Sequence, residues 1–270
     1  MQNDFSIISV MRVDMPYASV NGVSLHYEIS GSGPPVVLVT GFGGDTGFWK
    51  RASDIMSGRY TAVKIDNRGA GKTSYEGQFT LEDIAGDIIG LTDELGLKKF
   101  SIVGWSMGSH MAYRVAEATP DRVSSLTLVS SYRWRPARTM YMLSSALRAV
   151  EEGASVGYLG SIMNGLCNTD GFFEERERAG KSIRLPLLEN TAGLRHQLNA
   201  VDMSRLNDPI DVPALVIHGD SDHMIDSSES VKFKEIIPDC ETLLIKGAGH
   251  LIPQESYIPD VMDFIGKHQT

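Results

Sequence analysis

Cysteine is scarce in this chain. Only Cys167 and Cys240 occur among 270 residues. That is too few for a disulfide scaffold, and they lack metal-ligand spacing, so both are expected to be reduced thiols of a cytoplasmic protein. Basic charge is also short: 25 Lys and Arg stand against 34 Asp and Glu, a net charge of -9. Such a surface repels phosphate backbones, so nucleic acid is not an expected partner. No charged block is long enough to form a tail. No apolar run reaches the length needed to span a bilayer, so no membrane partner is expected either. The opening MQNDFSIISVMRVDM is apolar only from Phe5 to Met11, with nothing basic before it. It is not read as a secretory signal, and residues 1–14 are expected to be a loose extension. Internal repeats and low-complexity tracts are missing as well.

What the chain does have is apolar material in two periods. Hydrophobic residues make up 42% of it, enough to fill a large core. Segments 17–20 and 23–29 flank Asn21-Gly22, a two-residue hairpin signal. Residues 36–39, 60–65, 100–103, 126–129, 214–217 and 240–245 read as further strands, several of them continuous apolar runs suited to burial on both faces. Between them Leu81, Ile84, Ala85, Ile88, Leu91 and Leu95 recur at the helical period, with Thr80 and Asp83 as a capping-box start and Gly96 as a stop. Residues 107–118 read as a second helix, and 231–237 and 259–265 as two more. Strands alternating with helices imply right-handed crossovers, hence an α/β fold with a mostly parallel central sheet flanked by helices. The alternation stops at 131–208. There Pro136 opens a helical pattern carrying Met140, Leu143, Leu147 and Val150, and Gly153 closes it. This segment is expected to be a helical cap inserted into a core made of 15–130 and 209–270.

The sharpest local signal is Gly104-Trp105-Ser106-Met107-Gly108, where a buried strand meets a helix. A serine hydroxyl is a poor nucleophile until a base takes its proton. A tight strand-to-helix turn pushes the hydroxyl out above the sheet, and the two glycines remove side chains that would clash there. The helix beyond aims free amides at a developing negative charge. Seven histidines are candidates for the base: His26, His110, His196, His218, His223, His250 and His268. His250 follows Gly247-Ala248-Gly249 after the last strand, in a loop able to carry a side chain to the serine. His110 lies one helical turn below Ser106 and is expected in the core. His218 and His223, with Asp220 and Asp222, lack the further ligands a metal would need, so no metal is expected. The acid that would orient the imidazole is one of Asp220, Asp222 and Asp226.

Together with GWSMG at 104–108, the chain carries TGFGG at 40–44, DNRGAGKTS at 66–74, HGDSDHMI at 218–225 and GAGH at 247–250. On these motifs it resembles the α/β-hydrolase superfamily from about Met15 onward. The resemblance implies the α/β-hydrolase fold and a serine hydrolase with Ser106 as nucleophile and His250 as base. It implies Asp222 as the acid, three residues after Gly219, with Asp220 as the fallback. It further implies an oxyanion hole made by the backbone N–H groups of Phe42 and Met107. The family often has His-Gly where this chain has Thr40-Gly41, which leaves open what side chain supports that loop. Asp66, Arg68, Gly69 and Gly71 would shape a structural loop and carry no chemistry. No organic cofactor is implied, and the expected partner is a small-molecule substrate; the sequence sets no oligomeric state.

The substrates implied are carboxylic esters or lactones with small to medium apolar parts. C–C bond hydrolases acting on ring-cleavage diketones, and ligand-binding receptors of the same fold with little turnover, share these residue types. Epoxide hydrolases and dehalogenases of this fold need an aspartate where this chain has Ser106. Met140, Met142, Met163, Leu166, Phe172 and Phe173 are candidates to line an apolar site, with Trp49 and Trp105 at its border. Core packing is the competing reading for each of them. Arg133, Arg135 and Arg138 read as a solvated face.

Overall fold

Asn21 and Gly22 take φ of 45° and 78°, the left-handed pair that a type I′ turn needs. They join β1 (Tyr17–Val20) to β2 (Val23–Gly31), with Val20 opposite Val23. The computed structural model describes residues 16–183 and 190–269; the extension expected at 1–14 lies outside the described residues. Six more strands complete one sheet: β3 (Pro35–Val39), β4 (Thr61–Ile65), β5 (Phe100–Trp105), β6 (Val123–Val129), β7 (Ala214–Gly219) and β8 (Cys240–Ile245). Their order is β1-β2-β4-β3-β5-β6-β7-β8. The pairs β1–β2 and β2–β4 are antiparallel and all later pairs are parallel.

The continuous apolar runs explain why the middle of this sheet is covered twice. Along β3, Val37 and Val39 enter one apolar cluster while Val36 and Leu38 enter the other; on β4, Val63 and Ile65 oppose Ala62. Alternate side chains point to opposite faces, so a strand with no polar alternation must be roofed on both. Short α1 (Lys50–Met56) and the last helix, α9 (Ile258–His268), cover one face; α2 (Leu81–Glu94) and α3 (Met107–Ala118) cover the other. Each fully buried Val, Leu or Ile contributes roughly 1.5–3 kcal/mol relative to exposure. The expected capping box of α2 is formed: Asp83 N–H donates to Thr80 Oγ1, and Thr80 N–H donates to Asp83 Oδ2.

One short element was not expected, and one expected helix is not formed as such. Residues 46–56 carry a 3-10 turn (Thr46–Trp49) running into α1, which is too short to show an amphipathic period. Residues 231–237 hold only the end of α8 (Glu229–Lys232) and a 3-10 turn (Phe233–Glu235).

Between β6 and β7 lie α4 (Ala137–Glu151), α5 (Val156–Cys167), α6 (Asp170–Arg178) and α7 (Thr191–Met203). Met140, Leu143, Leu147, Leu159, Leu194 and Leu198 of this segment join the apolar cluster that includes Met107 and Met111 of α3. By contrast, α6 buries none of its residues. Arg133 does not belong to a solvated face: its side chain is 11% exposed, pairs with Glu235 and donates to the Leu206 carbonyl. Among the described residues no helix is long and apolar enough to cross a membrane.

Candidate active site

The turn after β5 is possible only with the residues it has. Ser106 takes φ 54°, ψ -121°, a strained conformation for a residue with a side chain. A Cβ on Gly104 would lie 2.4 Å from the Gly108 carbonyl oxygen, and one on Gly108 would lie 2.3 Å from that of Val39. Both approaches are below any real contact, so glycine at 104 and 108 is a steric condition of the turn. Val129 accepts the Ser106 N–H at 2.8 Å, and Ser106 accepts the N–H of Ser109 at 2.9 Å. The serine is thereby held between β6 and the first turn of α3.

His250 arrives from the loop after β8. Gly247 takes φ 71°, and the His250 carbonyl accepts from Trp105 Nε1 at 3.1 Å and Ser130 Oγ at 2.9 Å. The imidazole Nε2 lies 2.9 Å from Ser106 Oγ, and Nδ1 lies 2.8 Å from Asp222 Oδ2. An ionised carboxylate only accepts, so Nδ1 carries the proton and Nε2 faces the hydroxyl with its lone pair. The arrangement can pass a proton from Ser106 Oγ to His250 Nε2.

Asp222 is fully buried in its side chain. Its Oδ1 accepts the N–H groups of Met224 and Ile225 at 2.8 and 3.0 Å. Its Oδ2 accepts from His250 and also from His218 Nε2 at 3.1 Å. Burial alone would raise this carboxyl. Attraction to His250, the bonds from both imidazoles and the Ile225 amide outweigh it and hold Asp222 well below the usual carboxylate range. The other acidic candidates have different work. Asp220 Oδ1 accepts the Gly247 N–H at 2.7 Å and so braces the histidine loop, while Asp226 accepts the Ser228 N–H at 2.9 Å. His218, considered beforehand as a candidate base and as a metal ligand, is the second donor to the buried acid. Among the described residues no group of three His, Cys, Asp or Glu is placed to hold a metal ion.

His110 is where the sequence puts it. It is wholly buried, Nε2 donates to the Tyr132 carbonyl at 2.5 Å, and Nδ1 lies 2.8 Å from Ser204 Oγ. Burial pushes its pKa down to about 3, so it is neutral at physiological pH.

An apolar cleft opens on Ser106 and His250. Phe42, Trp105, Met107, Met140 and Met163 are on its wall, as are Leu143, Leu198 and Met224. No Asp, Glu, Lys or Arg among the described residues lines it. Met142, Leu166, Phe172 and Phe173 are absent from the wall. Trp49 is a correction: it is fully buried among Met56, Tyr60 and Trp105 in the cluster under α1 and α9, and does not reach the cleft. Its place in the 3-10 turn points it inward. The preceding Phe48 instead stacks on Trp105 with ring centroids 4.4 Å apart.

The loop at 40–44 closes the remaining side. A Cβ on Gly41 would meet Ser106 Cβ at 3.0 Å, so this backbone lies directly against the serine. The Gly44 N–H donates to the Gly41 carbonyl at 3.2 Å, and Gly43 takes φ 68°. These features define a type II turn with Phe42 and Gly43 at its centre. Neither the Phe42 nor the Met107 N–H donates to another backbone group among the described residues. Three helices of the 131–208 segment are fastened to the loops around Ser106. Thr139 of α4 donates to the Met224 carbonyl at 2.6 Å, Cys167 of α5 accepts the Leu251 N–H at 2.9 Å, and Gln197 of α7 accepts the Gly43 N–H at 2.9 Å.

Sequence reasoning missed Ser130, His218 and Gln197. Ser130 follows β6 directly with φ 50°, but its role depends on a carbonyl 120 residues away. No local pattern marks such a contact.

Comparison with known proteins places the fold. A family model described as the alpha/beta hydrolase fold matches residues 34–256. A protein assigned as a carbamate hydrolase in Azorhizobium caulinodans is 32% identical over 119 residues, 44% of this chain and 45% of that protein. The match thus spans less than half the length of that relative. Pyrrolizixenacetamide deacetylase of Xenorhabdus hominickii is 26% identical over 234 residues, 83% of this chain and 86% of that protein. In three dimensions the enol-lactonase from Burkholderia xenovorans LB400 superposes with a TM-score of 0.82 at 24% identity, covering 93% of this chain and 100% of that one. That likeness is one of fold.

Proposed function

The chain belongs to the alpha/beta hydrolase family, and from that premise we propose that it is a serine hydrolase of carboxylic esters or lactones, working through an acyl-enzyme. The observation that carries the proposal is the unbroken relay of Ser106 Oγ, His250 and Asp222 at 2.9 and 2.8 Å. Ser106 attacks the carbonyl carbon as His250 Nε2 takes its proton. Asp222 holds the ring in the required tautomer and stabilises the imidazolium. The carbonyl oxygen becomes an oxyanion and takes hydrogen bonds from the Phe42 and Met107 amides. His250 then protonates the leaving alkoxide. A water, deprotonated by the same nitrogen, attacks the acyl carbon, and collapse of that second oxyanion releases the acid and restores the serine.

Helices α4 to α7 act as the cap, and Met140, Met163 and Leu198 form an apolar berth for the substrate. A wall without Asp, Glu, Lys or Arg among the described residues supports neutral, mainly apolar acyl groups, because an unpaired charge there would lose its hydration with nothing in return. The two free thiols, Cys167 and Cys240, support a cytoplasmic location. The reading is tested with p-nitrophenyl esters of graded chain length run beside a vinylogous diketone. Ester turnover that disappears in Ser106→Ala is the expected result. Diketone cleavage in preference to every ester would make the chain a C–C bond hydrolase, and stoichiometric binding of a ligand with a single turnover would make it a receptor.

A further inference from the structure

The turn that carries the Phe42 amide lacks the histidine its position often has in the family, and what replaces it comes from the cap. Gln197 is fully buried on α7. Its Oε1 accepts the Gly43 N–H at 2.9 Å and its Nε2 donates to the Arg68 carbonyl at 2.8 Å. Both partners are backbone groups with one possible sense, so the orientation of the side-chain amide is fixed.

The helix that presents Gln197 is itself anchored at the same contact. A Cβ on Gly193 would lie 2.2 Å from the Gly69 carbonyl oxygen, and one on Gly69 would lie 2.9 Å from that of Gly193. Two glycines therefore let α7 touch the 66–74 loop backbone to backbone. Gln197 stands four residues after Gly193, hence on the same helix face. The 66–74 loop is in turn rigid: Arg68 donates to both oxygens of the buried Asp87. Next along α7, Leu198 and Val201 line the cleft.

We propose that Gln197 is a positioning residue for the oxyanion hole, and that through it the cap, rather than the core, sets the aim of the Phe42 amide. The proposal rests on the esterase reading above. Its physical basis is the turn type. In a type II turn the central peptide, which carries the Gly43 N–H, is flipped relative to type I, and flexible glycines on three of the four turn positions permit either. Gln197 Oε1 is the acceptor that selects one flip. With that flip fixed and the Gly41 carbonyl engaged by Gly44, the peptide between Gly41 and Phe42 has its oxygen turned into the loop. In a trans peptide the N–H points opposite to the oxygen, so the Phe42 N–H faces out of the loop, on a turn whose Gly41 lies against Ser106. The donor is therefore oriented before the oxyanion forms, which is the condition for such a donor to favour the transition state over the ground state.

The test compares Gln197→Met and Gln197→Glu with the wild type on p-nitrophenyl butyrate. All rates are normalised to sites titrated to completion with a fluorophosphonate. Loss of an entire oxyanion donor typically costs about 100- to 1,000-fold in kcat. Loss of its support is expected to cost Gln197→Met roughly 10- to 100-fold in kcat per titrated site, with KM within about threefold. An alkylboronic acid, whose tetrahedral adduct puts an oxygen in the same hole, is expected to bind more weakly by a similar factor. The pH profile of kcat is expected to keep its wild-type shape. A purely structural role would lower the fraction of titratable sites and leave kcat per site alone. Per-site kcat within twofold of wild type, or a rise in KM with kcat unmoved, overturns the proposal. Should Gln197→Met fail to fold, Gln197→Ala, which also removes the acceptor, is judged by the same two criteria, whereas Gln197→Glu, which keeps an acceptor for the Gly43 N–H, is expected to lose less kcat than either. Turnover surviving in Ser106→Ala would instead mark failure of the esterase reading beneath it.

Discussion

The two sides of the cleft are built on different principles. On the core side, position is dictated by backbone. Gly104 and Gly108 admit no Cβ, Ser106 and Ser130 sit at positive φ, and the His250 carbonyl is tied down by two donors. On the cap side, most of the wall is apolar side chain packed on apolar side chain, and α6 buries nothing. Hydrogen-bonded, sterically closed backbone holds a reacting atom to a fraction of an ångström. Apolar packing tolerates exchange of similar volumes. Under the proposed function, the contrast separates chemistry, fixed on the core side, from selectivity, adjustable on the cap side.

Breaking the backbone side should have the largest effect. Gly108→Ala would set a methyl 2.3 Å from the Val39 carbonyl oxygen and 2.7 Å from that of Thr40, with only backbone to yield. It is expected to abolish soluble folded protein, or to lower the melting temperature so far that no esterase survives at 37 °C; thermal unfolding followed by circular dichroism reads this directly. Next comes Asp222→Asn, which leaves the shape of the acid loop and changes the imidazole tautomer. A fall of about 10⁴-fold in kcat is expected, with fold and KM nearly unchanged. A fall of less than tenfold would mean that Asp222 does not orient the ring.

A change of substrate probes the cap side without touching the protein. p-Nitrophenyl butyrate and the hemisuccinate p-nitrophenyl ester differ chiefly in a terminal carboxylate. With no Lys or Arg on the wall among the described residues, the neutral ester is expected to be favoured in kcat/KM by about 100-fold or more. Met163→Arg should narrow that gap. Equal rates on both esters would show that acyl groups do not enter the apolar cleft.

The smallest effect concerns the seam between the two sides. His110 lies on the elbow helix and bonds Tyr132 and Ser204, where the chain enters and leaves the cap. Burial lowers its pKa from 6.5 to about 3, so between those values the unfolded chain binds a proton that the folded chain refuses. Stability from this group is complete above pH 6.5 and is lost as pH falls toward 3. Going from pH 7 to pH 5 should cost about 2 kcal/mol. Urea unfolding at the two pH values should show that loss in the wild type and much less of it in His110→Gln.

How far the site was legible in the sequence follows the same division. The elbow could be read because its steric demand is local: two glycines and a serine within five residues, between a buried strand and a helix. Strand 240–245 and helix 107–118 were legible to the residue because each runs up to a distinct stop, Gly247 after the strand and Pro120 after the helix. Family motifs then selected His250 and Asp222, which the structure brings onto Ser106. Trp49 was misread because aromatic composition says nothing of direction in a 3-10 turn that no period announces. His218 and Gln197 were not recognised for what they do: no pattern tells that the His218 ring turns onto Asp222, and Gln197 bonds backbone groups 129 and 154 residues away. A lone glutamine on a helix looks the same whether it faces water or a buried turn.

The account stands on Ser106 carrying the acyl group during turnover. Rapid-quench mass spectrometry of the protein mixed with a p-nitrophenyl ester of slow-leaving acyl chain measures this most directly. The predicted result is a mass increase equal to the acyl group, confined to the peptide bearing Ser106, forming and decaying at rates no slower than turnover. Steady ester hydrolysis with that peptide unmodified throughout, or with the acyl group on another residue, would contradict it.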